Sequence, residues 1–382
     1  MRWGAAGAAA RLGAAFAVGV VACALAVPAS AATVRVLLLD RRESVEIEPA
    51  AGRGVEVRIG RGELRAGGRP AGRELRFEGP GPHLVDGRRY RGAIEVSEGA
   101  EGIRVVNEVP LEAYVAGTLL GEVGAGWGAA ALEAQAVATR SYALHRRAQA
   151  ARAVRGAGAF DVESGTLGQV YLGMDGESQV VWDAVDATRG EVLTFGGEAI
   201  LAAFHGTAGG RTASAAEVWG APLPYLVSQP VEGEEESPDT YWRTSVDADE
   251  LAAALASAGR PVGRVRSVAV ASRTPSGRCA ALRIQGSRGA AEIPAEALRS
   301  ALGEARIRST LFAVRPVPDG FVFVGSGRGH GVGMSQWGAR VMAERGADYR
   351  AILRRFYPGA ELRHLAIEDA PLPAVAAGAG GS

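Results

Sequence analysis

The hydrophobic pattern changes period at Pro110, and that change sets the tightest limit on what the chain can fold into. From Thr33 to Val106 apolar residues come in short β-rich runs. Examples are Val34-Arg35-Val36-Leu37-Leu38-Leu39, Val55-Glu56-Val57-Arg58-Ile59 and Ala93-Ile94-Glu95-Val96, cut apart by Gly, Pro and Arg. Beyond Pro110 the spacing turns helical. Leu111, Val115 and Leu119 fall on one face and Pro110 stands at the start, which predicts a helix over 110–123. After a Gly-rich turn a second helix is predicted over 129–151, with Leu132, Ala136 and Ala143 inward and Gln135, Thr139 and Tyr142 as a polar stripe beside them.

Further on the pattern alternates. Residues 191–195 and 199–205 flank Gly196-Gly197 and read as a hairpin. Helices are predicted over 248–257, 295–302, 335–345 and 348–356, and strands over 265–272 and 279–285. The predicted class is therefore α+β. A β-rich N-terminal region (32–105) leads into a mixed α/β domain with a cleft (106–365), which carries an inserted α+β lobe at 245–315. Residues 366–382 have no pattern and are expected to be a disordered tail. A chain of 382 residues has ample length for such cores.

Composition removes several kinds of chemistry. Lys plus Arg and Asp plus Glu both number 42, so no net field draws the protein to nucleic acid or anionic lipid. There is no lysine, which excludes a Walker A loop, Schiff-base catalysis and a Ser-x-x-Lys hydrolase. The first 31 residues read as an export signal. Arg2 and Arg11 precede an apolar stretch over 12–27, and Ala29-Ser30-Ala31 is a small-residue cleavage site, giving a mature start at Ala32. Val20-Val21-Ala22-Cys23 offers a competing lipid tether at Cys23, but the apolar stretch continues past it to the better site. Either way, Cys279 is left without a disulfide partner.

Glu122 is the sharpest chemical candidate. It continues the apolar face of the first helix, whereas Glu112 is expected on the solvent face. Burial and the negative end of the helix dipole would both raise its pKa, as a general acid requires. The alternative is a Glu that curls into solvent at a frayed helix end. Two Gly-rich segments follow. Phe204-His205-Gly206-Thr207-Ala208-Gly209-Gly210-Arg211-Thr212 would bring backbone amides to a ligand, or form a plain tight turn. The run from Gly327 to Gly338 matches neither a dinucleotide fingerprint nor a nucleophile elbow, since Trp337 occupies the last position of the latter. Its His330, Ser335, Gln336 and Trp337 would suit a sugar; a structural turn with core Met334 and Trp337 is the other reading. The five histidines are scattered without ligand spacing, so no metal and no cofactor is expected.

Taken in order, these segments resemble the SpoIID/LytB domain family. The resemblance runs through Val106-Asn107-Glu108-Val109-Pro110-Leu111-Glu112, Gly121-Glu122-Val123 and Ala131 to Ala143. It continues through Gln169-Val170-Tyr171, His205 to Thr212, Ser276-Gly277-Arg278, Gly329 to Ala339 and Phe356-Tyr357-Pro358-Gly359. It implies a peptidoglycan lytic transglycosylase that cuts between N-acetylmuramic acid and N-acetylglucosamine in peptide-stripped strands and leaves 1,6-anhydro ends. Glu122 would act as acid and then base, and Gln169, Tyr171, His205, Thr207, Gly209, His330, Ser335 and Gln336 would bind substrate. The expected partners are glycan strands and a cell-wall amidase, with the protein exported to the periplasm, wall or exterior. Three departures stand out: no Cys or His zinc ligands in 160–168, Val123-Gly124 in place of Met-Pro, and Arg328 where an aromatic is expected. Two other functions stay open. One is a non-cutting enhancer of an amidase; the other is a two-carboxylate hydrolase pairing Glu122 with Asp161, Glu163 or Glu217.

Overall fold

The computed structural model describes residues 32–365, except 61, 80, 125, 154–159, 166 and 167. The expected leader, tether and tail lie outside these residues. The architecture is α+β. Thr33–Arg42 buries Val34 and Val36 and pairs antiparallel with Gly102–Pro110, which in turn pairs with Ala93–Gly99. Glu74–Phe77 and Val162–Glu163 complete a five-stranded sheet, and a six-stranded sheet built from residues 44–90 lies with it around a shared core.

Pro110 closes the ladder and opens the first helix, α1 (Leu111–Glu122). Every residue from Leu111 to Leu119 is buried, because α1 is packed against the second helix, α2 (Ala129–Arg152), the turn Gly173–Gly176 and the helix Gln179–Ala187. This corrects the expected solvent face. Glu112 is fully buried and meets the equally buried Arg140 in a two-pronged pair, at 2.9 and 2.6 Å. A carboxylate placed there is tolerated only because a guanidinium and the Gly190 N–H, at 3.2 Å, take its lone pairs.

Helix α2 serves two cores. Leu132, Ala136 and Ala143 face the first, while Ala134, Val137 and Ala138 face a second with Leu193, Ile200, Met334 and Phe356. The expected hairpin over 191–205 is shorter than the spacing suggested. Glu191–Phe195 pairs with only Glu198–Ala199, and on its other side with Glu361–His364. The chain then dives into the second core at Ile200, Ala202 and Ala203, and Phe204–His205 pairs in parallel with Met334–Ser335. The carbonyl of Ala203 anchors this crossing by accepting from Met334 N at 3.0 Å and Tyr357 Oη at 2.8 Å.

A third core joins Leu251, Leu282 and Leu298 of the expected lobe to Trp242 and Phe323, so the packed lobe extends beyond 245–315 on both sides. There the helices Ala248–Ser257 and Ala295–Leu302 accompany two three-stranded sheets. The strands Gly289–Pro294, Phe312–Val317 and Gly320–Gly325 had no prediction. The last two helices, Gln336–Glu344 and Tyr349–Phe356, are capped by Ser335, accepting from Gly338 N at 3.2 Å, and by Asp348, accepting from Ala351 N at 2.7 Å. Among the described residues, no helix is long and apolar enough to cross a membrane.

Candidate active site

A cavity of about 440 Å³ opens where α1 ends, bounded by the chain around Val170, both Gly-rich loops and the rim of the lobe. Glu122 lines it as the last residue of α1. Its Oε1 accepts a hydrogen bond from Val170 N at 2.7 Å, and the Gln336 side chain donates to the same carboxyl. Burial raises its pKa above the ordinary carboxyl value, and these two hydrogen bonds offset that only in part. The carboxyl is thus held in the cavity wall and does not curl into bulk water.

Gly121 makes this arrangement possible. A Cβ on it would lie 2.1 Å from the Val170 carbonyl oxygen, so only a glycine lets that segment come close enough to donate to Glu122. Gly121→Ala should cost about 1–3 kcal/mol by overpacking. The loss should appear as a lower midpoint in urea, accompanied by a shift of the Glu122 pKa measured by carboxyl NMR.

Trp127 and Trp337 form an aromatic corner in the same cavity, their rings edge to face at 5.7 Å, with the Arg340 guanidinium 4.6 Å above Trp337. His205 and His330 stand together elsewhere in the wall, ring centres 5.8 Å apart, and Trp219 lies 5.5 Å from His330. His205 Nδ1–H donates to the Val332 carbonyl at 3.1 Å, so its neutral ring leaves Nε2 as an acceptor, and that atom has no partner among the described residues. His330 is the opposite tautomer, its Nδ1 accepting from Val332 N at 3.0 Å. Burial first, then the neighbouring Arg278, pushes His330 down to about 4; burial, His330 and Arg278 together push His205 well below its usual value. Both rings are uncharged at neutral pH.

The other expected substrate-binding residues are absent from the cavity wall. Gln169 is buried and accepts from Tyr114 Oη at 2.6 Å, and Tyr171 donates its hydroxyl to Asn107 Oδ1 at 2.8 Å. Thr207 is buried against Ser237 at 2.6 Å. The loop amides expected to meet a ligand are already satisfied. Ala208, Gly209 and Gly210 all donate to the carboxylate of Glu234, which also accepts from the Ser335 hydroxyl. Glu234 therefore clamps the two Gly-rich loops together. Of the residues expected to bind substrate, His205, His330 and Gln336 share the cavity with Glu122, while Gln169, Tyr171, Thr207, Gly209 and Ser335 do not line it.

None of Asp161, Glu163 and Glu217 lines the cavity. Asp161 accepts from Arg35 N, Glu163 is exposed on its strand, and Glu217 accepts from Ser276 N. The further carboxylates that do line it are Asp239, paired with Arg308 at 2.6 Å, and Glu304, paired with Arg299 at 3.0 Å. Asp239 and Glu304 are distant from α1 in sequence and only the tertiary fold brings them to it, whereas Trp127 follows α1 directly and carries one local signal, an isolated Trp among glycines at 124–128. Among the described residues no group of three or more His, Cys, Asp or Glu could hold a metal ion.

Residues 99–195 match the family described as Stage II sporulation protein, SpoIID, and residues 222–333 match a domain of unknown function, DUF8618. The chain is 32% identical over 288 residues to an uncharacterised protein of Brachyspira hyodysenteriae, covering 75% of each. It is 29% identical over 271 residues to the Stage II sporulation protein D of Bacillus subtilis, covering 67% of this chain and 75% of that one. It is also 28% identical over 291 residues to the Amidase enhancer of Bacillus subtilis, covering 64% of this chain and 40% of the relative. By sequence likeness across most of its length, joined to the family match that spans α1 and α2, the chain belongs to the SpoIID/LytB family.

Proposed function

We propose that the protein is an exported cell-wall enzyme, a lytic transglycosylase that cleaves the bond from muramic acid C1 to the O4 of N-acetylglucosamine. The observation that carries the reading is the Glu122 carboxyl, with a raised pKa, in a cavity shared with an aromatic corner and two neutral imidazoles. A neutral carboxylic acid can donate its proton to the departing O4 as the C1–O4 bond breaks. The resulting carboxylate then accepts the proton of the muramic acid C6 hydroxyl as O6 bonds to C1, closing the 1,6-anhydro ring. The proton count balances within one group, so no water and no second carboxylate is consumed. The two neutral imidazoles add uncharged polar wall beside the aromatic faces, where a charged ring would not favour a neutral sugar.

The test is incubation of residues 32–382 with peptide-free glycan strands, followed by mass spectrometry for 1,6-anhydromuramic ends. Reducing ends in their place would indicate a hydrolase, with Asp239 or Glu304 as the second carboxylate. A second reading is suggested by the relative named Amidase enhancer: glycan is held for a partner amidase without cutting. Release of no new ends, together with faster turnover of an added amidase, would favour that reading.

A further inference from the structure

We infer that Arg328 is the residue that recognises the free lactyl carboxylate of muramic acid, a specificity-determining side chain for the peptide-stripped strands that the family resemblance implies. The inference rests on the reading that the cavity holds glycan, and deepens it. Arg328 stands at the position where the family resemblance leads one to expect an aromatic, and three features make it a poised anion receptor.

Its backbone is fixed, with its N–H donating to Thr207 O at 2.9 Å and its carbonyl accepting from Thr207 N at 3.2 Å. Its aliphatic stem lies along Gly206, where even a Cβ would sit 3.4–3.5 Å from the Cβ, Cγ and Cδ of the arginine. The stem thus runs along Gly206, and the side chain lines the cavity.

The charge is also underused. Arg328 makes no side-chain hydrogen bond within the described structure; its nearest acid is Asp239, at 3.8 Å, and Arg308 already holds that carboxylate at 2.6 Å. Two cations share one acid, and the Arg328 side chain, which lines the cavity, is 55% exposed, so its positive charge is open to solvent. The cavity's other arginine, Arg299, has no such surplus, being committed to Glu296, Glu304 and the Ile307 carbonyl.

A carboxylate is the planar partner that a guanidinium fork accepts through two parallel N–H bonds. The sugar rings of a glycan strand are neutral, and the lactyl group of muramic acid becomes a carboxylate only once its peptide amide is cut. A cation at this place in the wall therefore favours a carboxylate carried on the lactyl group itself over a lactyl amide or a neutral N-acetylglucosamine oligomer, the carboxylates of an intact stem peptide lying further from the sugar.

The experiment uses residues 32–382 carrying Glu122→Gln, so that binding is read without turnover. Calorimetry compares peptide-free strands having free lactyl carboxylates with the same strands converted to methyl amides. Binding to the acid strands should be about 5- to 20-fold tighter at low salt, a gap that narrows as salt screens the charge. Adding Arg328→Gln should bring the two Kd values together, and Arg328→Lys should restore part of the difference. Equal affinity for both strands, or discrimination that survives Arg328→Gln, overturns the inference. Discrimination by the binding form, with no anhydro ends from the unmutated chain, removes the transglycosylase reading and leaves this inference standing. Failure to bind either strand removes both.

Discussion

Glu122→Gln is expected to reduce the release of 1,6-anhydromuramic ends by about 10³-fold or more, because it deletes both the acid and the base of the proposed reaction. Glutamine keeps the shape and can still accept from Val170 N, so the cavity should survive. The pH behaviour separates loss of chemistry from loss of fold. Burial raises the folded pKa of Glu122, so its active, protonated fraction falls as pH rises through that value, and kcat/KM should decline on the alkaline side above the ordinary carboxyl range. The same shift acts on stability with a definite sign. Below the ordinary carboxyl pKa the group is protonated in folded and unfolded chains alike and contributes nothing. As pH rises toward the folded pKa, the unfolded chain ionises first and gains, so the native state loses stability relative to Glu122→Gln. The variant should therefore melt higher than the parent at pH 7 and at the same temperature at pH 3, measured by calorimetry. A variant less stable at pH 7 would mean that the carboxylate is a structural ligand.

The second large effect concerns the fully buried pair that joins α1 to α2. Arg140 Nε and Nη2 bind Glu112, while Nη1 reaches the Glu191 carbonyl at 3.0 Å, so one side chain ties both helices to the strand Glu191–Phe195. Arg140→Met leaves Glu112 buried with only the Gly190 N–H, and should cost about 3–5 kcal/mol. For a chain of this size the melting temperature should fall by about 5–10 °C. Combining it with Glu112→Leu should recover much of the loss, because desolvating two charges consumes most of what their attraction returns. A double variant as unstable as the sum of the singles would show that the helices depend on the ion pair itself. Activity should follow stability here, since neither residue lines the cavity.

How far the sequence reached can be judged from these same residues. It indicated α1 and α2 within a residue of their observed ends, because the proline start, the glycine turn and the helical spacing are local signals. It indicated the lobe helices at Ala248–Ser257 and Ala295–Leu302 for the same reason. It also singled out Glu122, whose position at the end of a helix follows from spacing alone. It put Glu112 in solvent, because a period reports one apolar face and is blind to a helix enclosed on every side. It extended the hairpin to His205, because alternation looks the same in a paired strand and in a chain crossing a core.

The local order of the backbone, the class α+β and the candidate acid were thus determined by the sequence by itself. The tertiary structure alone decided that the amides of Ala208, Gly209 and Gly210 close on Glu234 and that Trp127 meets Trp337. It alone brought Asp239, Glu304 and Arg328 into the wall opposite α1. The physical reason is one of range: propensity and periodicity act over a few residues, whereas a buried charge or an aromatic corner is set by whichever distant segment packing brings alongside.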